Sequence, residues 1–181
     1  AGAKTITMTP IGSTAANVDR YPEGEGLRMF VASYATMGAN APTMQITYTN
    51  SAGTAGKTTT AGIVSTASAT SGILLNSGNA ANKVGPFLTL AAGDTGVKDI
   101  QTLTWGGTAH ASGSVFIGLC KPLCMPIPVP STGLFNLVDF VNTLPSMPRL
   151  RNGANVQFLL FATGATTSGA TLYTAFDYGW N

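Results

Sequence analysis

Residues 27–50 read LRMFVASYATMGANAPTMQITYTN, and their alternation decides the fold class. In 27–36, Met29, Val31 and Ser33 face one way and Arg28, Phe30, Ala32 and Tyr34 the other. In 43–50, Met44, Ile46 and Tyr48 alternate with Thr and Gln. Period-2 patterning of this kind marks β-strands. The intervening MGANAP predicts a hairpin loop.

The same signature recurs outward from this pair. DIQTLTW (99–105) places Ile100, Leu103 and Trp105 in a strand, GGTAHASG predicts a loop, and SVFIGLC (114–120) its return. Near the C-terminus, NVQFLLFAT (155–163) runs through GATTSGA into TLYTAFDYGW (171–180), with Leu172, Phe176, Tyr178 and Trp180 on one face. Shorter strand candidates are KTITMT (4–9), TAGIVST (60–66) and PFLTLA (86–91). Helix periodicity is poor, and its best segment is the short LFNLVDFV of 134–141. Short strands separated by turn signals, without βαβ alternation, predict an all-β antiparallel sandwich of about eight to ten strands. Jelly-roll connectivity is one form it can take. The segments RMFVASYATMGANAPTMQITYT and VQFLLFATGATTSGATLYTAFDY resemble each other. That fits a duplicated half-domain or a shared Ala/Thr-rich composition equally.

The chain has 181 residues, which suits a single domain over 1–181 with its own core. Only 9% of residues are charged, against about 25% in an average soluble domain. Ala, Thr, Gly and Ser fill the difference, so we expect much of the surface to be covered by partners. Net charge is +2. Of the nine cations only Arg149 and Arg151 sit close together, which argues against specific nucleic-acid binding, since that needs clustered cations. No apolar run approaches the ~20 residues of a membrane span. The opening AGAKTITM lacks the pattern of a signal peptide or an amphipathic targeting helix. An Ala start fits removal of an initiator Met or processing of a longer precursor.

Two regions stand out. Residues 50–85 are almost entirely Gly, Ser, Thr, Ala and Asn, with Lys57 and two apolar islands. A loop of this length is unusual inside a compact domain, and we expect it to pack on a neighbouring subunit. Residues 121–148 hold six of the ten prolines. MPIPVP, with Pro126, Pro128 and Pro130, is extended by necessity and suits a sheet edge or an arm along a partner. Lys57, these prolines and the N-terminal arm of residues 1–20 are therefore the candidate interface, with 121–133 connecting the two halves.

Catalytic sets are sparse. His110, the only histidine, sits among small residues, which predicts a solvated loop tip and not a member of a Ser-His-Asp triad. Glu23 and Glu25 share the Gly-rich turn YPEGEG, but a glycosidase needs two facing carboxylates. Asp94 in AAGDTG has the setting of a local turn cap. EGEG and GDTG are too sparse for a calcium loop, and no phosphate-binding glycine motif is present. Cys120 and Cys124, in LCKPLC, lack further ligands for zinc. In a straight strand they stand about 13 Å apart, beyond a disulfide's reach, although a turn at Lys-Pro can close them. Free thiols and a disulfide both remain open. No cofactor, metal site or catalytic residue is assigned. Trp105 and Trp180 would serve a carbohydrate-binding sandwich if exposed.

The runs GLRMFVASYATMGANAPTMQITYTNSAGTAGKTTT (26–60), LTLAAGDTGVKDIQTLT (88–104) and GSVFIGLCKPL (113–123), with the closing hairpin, cover about half the chain. They resemble head decoration, cement or minor structural proteins of tailed bacteriophages. Within them YTN-x-x-G-x-x-GKTT and AAGD-x-GV carry the resemblance most specifically. It implies a β-sandwich assembled on the capsid surface of a virion made in the host cytoplasm. Its partners would be the major capsid protein lattice and copies of itself, a trimer being favoured. A glycan-binding module of the tail or fibre and a jelly-roll coat protein are the alternatives. A basic inner arm of the kind RNA-packing shells use is not evident in AGAKTITM.

Overall fold

The computed structural model describes residues 2–8, 21–60, 63–65, 67–72, 74–75, 87–123 and 156. Among them are seven strands: β1 (Lys4–Thr7), β2 (Arg28–Ala35), β3 (Thr43–Asn50), β4 (Lys57–Thr58), β5 (Ile63–Val64), β6 (Val97–Gly106) and β7 (Ser114–Cys120). No α-helix occurs among the described residues. All pairings are antiparallel. One sheet has the order β1-β6-β3-β4, with β5 also on β3, and the other joins β2 to β7.

The centre of the first sheet is the β3–β6 ladder. Buried residues face one another across it: Met44 opposite Trp105, Ile46 opposite Leu103, Tyr48 opposite Ile100 and Asn50 opposite Val97. On β3 these are every second residue, as the pleat demands. On β6 the spacing 97, 100, 103, 105 fits no straight strand, because successive residues point to opposite faces. Register shifts between Thr47 and Tyr48 and between Thr49 and Asn50 resolve the conflict. Each leaves one extra β6 residue, Gln101 and then Lys98, without an opposite number. These two β-bulges return Ile100 and Val97 to the inner face.

The second sheet supplies the other half of the core. Met29 and Val31 of β2 are fully buried and cluster with the inner residues of β3 and β6. They stand opposite Leu119 and Ile117 of β7, which with Val115 pack half-buried against the same cluster. The two sheets thus share one apolar core. The eight to ten strands of a jelly roll would require strands beyond the described residues. The candidate strands at 155–163, apart from Val156, and at 171–180, the segment 134–141 and most of the Pro-rich connection lie outside them.

Two connections differ from the sequence reading. MGANAP is not a hairpin loop, because β2 and β3 belong to different sheets, and GGTAHASG likewise carries the chain from β6 to β7 across the layers. The resemblance between two hairpins therefore loses its first member. The reason lies in the residues of the turns. Met37 and Pro42 are buried, which draws 37–42 over the end of the core. The two crossings then tie to each other: Gly38 N–H donates to Ser112 O at 3.0 Å and Asn40 Nδ2 to Ala109 O at 2.9 Å.

Smaller differences follow from edge positions. Residues 87–91 form no strand, although Leu88 and Leu90 are buried and Leu88 N–H donates to Met29 O at 2.8 Å. Within 60–66 the described strand is Ile63–Val64, and β1 ends at Thr7. Gly96 and Gly24 meet where Glu25 bridges Gly96. A Cβ on Gly96 would strike the Gly24 carbonyl oxygen, so this backbone approach requires glycine.

Candidate interaction surface

The face of the β2–β7 sheet turned away from the shared core carries Arg28, Phe30, Ala32 and Tyr34 from β2 and Phe116, Gly118 and Cys120 from β7. Phe30 stands opposite Gly118 and Ala32 opposite Phe116. Gly118 leaves room for the Phe30 ring, which a Cβ there would hit. Phe30 and Phe116 meet edge to face, with centroids 6.0 Å apart and planes at 84°, the favoured geometry for aromatic pairs. Leu74 and Phe87 cover part of this face, and Leu74 bridges Ala32 at the edge of β2.

The remainder is exposed. Tyr34 has 76% of its surface open to solvent and Phe116 45%. Tyr34 owes this to a bulge: Ser33 pairs with Val115 and Ala35 with Ser114, so Tyr34 has no opposite number. A bulge re-aims its side chain outward.

The predicted interface residues divide. Lys57 is half-buried in β4 opposite Tyr48. Ala52–Gly56 are exposed, but Thr59 is buried and its Oγ1 accepts Ile46 N–H at 2.9 Å. The loop is therefore fastened to the chain's own β3 on either side of its tip. Pro126, Pro128 and Pro130 lie outside the described residues, as does Cys124. Cys120 is a free thiol. Burial pushes its pKa up to about 11, which keeps it protonated and a poor nucleophile at neutral pH.

His110 is not a solvated loop tip. Its Nδ1 lies 3.1 Å from Gly38 O and its Nε2 2.9 Å from Ser65 Oγ. Trp105 packs against the ring at 5.3 Å and 88°. A carbonyl only accepts, so Nδ1 carries the hydrogen of the neutral ring and Nε2 accepts from Ser65. This has the outline of a Ser-His pair, but Ser65 is only 1% exposed and a backbone carbonyl stands where a triad has a carboxylate. The histidine fastens both sheet crossings to residue 65.

The carboxylates also find structural work. Glu23 pairs with Lys98 at 3.6 Å, and Glu25 accepts from Thr95 Oγ1 at 2.9 Å. Asp94 is no local side-chain cap. It accepts from Tyr48 Oη at 2.6 Å and from Asn50 Nδ2 at 2.8 Å, residues over forty positions away in sequence. These two bonds, with the charge of Lys57, hold its carboxyl below the usual carboxylate range. Burial, with the Asp94 bond, pushes Tyr48 up to about 12. Trp105 is 5% exposed and belongs to the core, while Trp180 lies outside the described residues. A shallow depression of about 340 Å³ opens between Asn40–Thr43 and Gly106–Thr108, with no titratable side chain in its wall. Among the described residues no three His, Cys, Asp or Glu side chains converge as metal ligands, and no helix is long and apolar enough to cross a membrane.

The exposed Tyr34–Phe116 face was half visible in the sequence. Alternation puts Tyr34 on the same side as Phe30, yet the bulge that exposes it depends on pairing with β7. No protein-family model, curated protein or solved structure matches the chain.

Proposed function

We propose that this chain is a non-enzymatic structural protein of a virion, a decoration or cement protein that binds the assembled head and stabilises it. The observation that carries the reading is the aromatic face of the β2–β7 sheet. Tyr34 and Phe116 stand exposed there, on a chain of which only 9% is charged. Exposed aromatics on a low-charge surface suit burial against another protein. A cement protein binds the lattice and not its free subunits, so it shifts assembly by mass action. Repetition about a symmetry axis multiplies weak contacts by avidity, and a trimer suits a three-fold site.

A tail or fibre module that stacks sugars on aromatic rings is the second reading, favoured by the 76% exposure of Tyr34. Besides Tyr34 that face carries Phe30, Ala32 and Phe116, with Arg28 at its far end, so few polar groups are at hand to fix a sugar's hydroxyls. That favours protein contact. A jelly-roll coat protein is a third possibility.

The test is light scattering after size exclusion, first alone and then with purified capsid shells. Saturable binding with a raised shell melting temperature is expected, and Tyr34→Ser should weaken it about tenfold or more without unfolding the protein. Absence of shell binding, together with retention on bacterial surface glycans, would move the protein to the tail.

A further inference from the structure

One polar cluster takes no part in the functional reading. At the end of β3, Ala91 N–H donates to Tyr48 Oη at 2.8 Å, and Tyr48 Oη donates to Asp94 Oδ2 at 2.6 Å. From the other side Thr54 N–H donates to Asn50 Oδ1 at 2.8 Å, and Asn50 Nδ2 donates to Asp94 Oδ1 at 2.8 Å. Every hydrogen in this chain of bonds points toward the carboxylate. The cluster joins two surface segments, the 50–57 loop and the 91–96 turn, to the same strand.

An ionised carboxylate only accepts, and it satisfies both donors. A protonated one must also donate. A hydrogen on Oδ1 confronts the Asn50 amide N–H, and turning that amide over sets its NH2 against Thr54 N–H. A hydrogen on Oδ2 makes Tyr48 Oη an acceptor, and the tyrosine's own hydrogen then has no acceptor within the cluster. In these positions the proton breaks a link, and elsewhere on the carboxyl it leaves both donors a neutral and weaker acceptor. We propose that this cluster is an acid-released clasp: protonating Asp94 frees the 50–57 loop and the 91–96 turn while the β3–β6 ladder and the core stay formed.

The charges around the clasp act on it in known directions. Lys57 of β4 favours the ionised carboxyl, and Arg28 of β2 acts on Tyr48. Glu25 engages Thr95, whose Oγ1 lies 3.0 Å from Ser51 Oγ, and Lys98 is paired with Glu23. Asp99, opposite Thr49, stands on the other face of the sheet. Release therefore comes on the acid side of the ordinary carboxylate range. The core amides make no use of Asp94: Ile46 N–H bonds to Thr59 Oγ1 and Leu88 N–H to Met29 O. The inference is independent of what the protein binds.

Amide hydrogen exchange, read as protection factors across a pH series, tests it. On acidification the Thr54 and Ala91 amides should lose protection about tenfold or more, while Ile46 and Leu88 keep theirs. The D94N variant, which places an amide N–H where an acceptor is needed, should show that loss already at neutral pH and change little in acid. Unchanged Thr54 and Ala91 protection, or loss in step with Ile46 and Leu88, overturns the proposal. So does a D94N protein as acid-sensitive as the wild type. If D94N does not fold, the wild-type series decides alone.

Discussion

His110 reaches two other segments, at Gly38 and Ser65, by its two ring nitrogens, and Trp105 packs edge to face on the ring. His110→Ala leaves the Gly38 carbonyl and the Ser65 hydroxyl without this partner and opens a gap beside Trp105. A lost partner at a buried polar group costs about 1–3 kcal/mol, so chemical denaturation should show a loss in that range. His110→Ala within about 0.3 kcal/mol of wild type would mean that the crossings hold without it. Composition alone hid this role. Small residues around a histidine read as an exposed loop, whereas here they let two backbone crossings approach each other and the ring. Asp94 misled in the same way: GDTG has the chemistry of a local turn, and nothing adjacent announces that Tyr48 and Asn50 claim its oxygens.

At the scale of the strand, β6 is governed by its bulges. Gln101→Ala removes only the bond from Gly56 N–H to Gln101 Oε1 (3.1 Å) and should cost about 1 kcal/mol or less. Deleting Gln101 removes the bulge itself. Pairing then slips by one residue, turning Ile100 and Val97 outward or Leu103 and Trp105 with them. The deletion should abolish cooperative unfolding or cost several times the substitution, as a thermal melt would reveal. Equal melting temperatures for the two variants would show that the bulge sets no register. The strands β2, β3, β6 and β7 were legible because alternation is a local property of sequence. Their partners were not, because pairing depends on residues far along the chain. The hairpin expectation failed at 37–42 and 107–113, where burial of Met37 and Pro42 outweighs the usual preference for neighbouring strands to pair.

For the molecule as a whole, pH bounds stability from the alkaline side. Burial raises Cys120 from 9.0 to about 11 and Tyr48 from 10.0 to about 12. The unfolded chain releases these protons at lower pH than the folded one, so the folded state loses stability as pH rises from about 9 toward 12. Melting temperature should fall across that window, and Cys120→Ala should move the onset upward. A flat profile with both groups intact would contradict their burial. Asp94 contributes with the opposite sign: its stabilisation is present above the ordinary carboxylate range and disappears as pH falls through its lowered value. The low charge of the chain raised the expectation of a partner-covered surface, but did not say which face would present aromatics. That depended on a bulge at Tyr34 and on a glycine in β7 that gives the Phe30 ring its place.

The pairing of β1 with β6 bears on how the protein is made. Thr5 and Thr104 meet across 99 residues of sequence, so this edge strand waits on the ribosome for a partner synthesised much later. At about 5–20 residues per second, that wait is on the order of 5–20 s. Through it KTIT, short and headed by a lysine, stays available to any open strand in the cell, including those of sister chains growing on the same message.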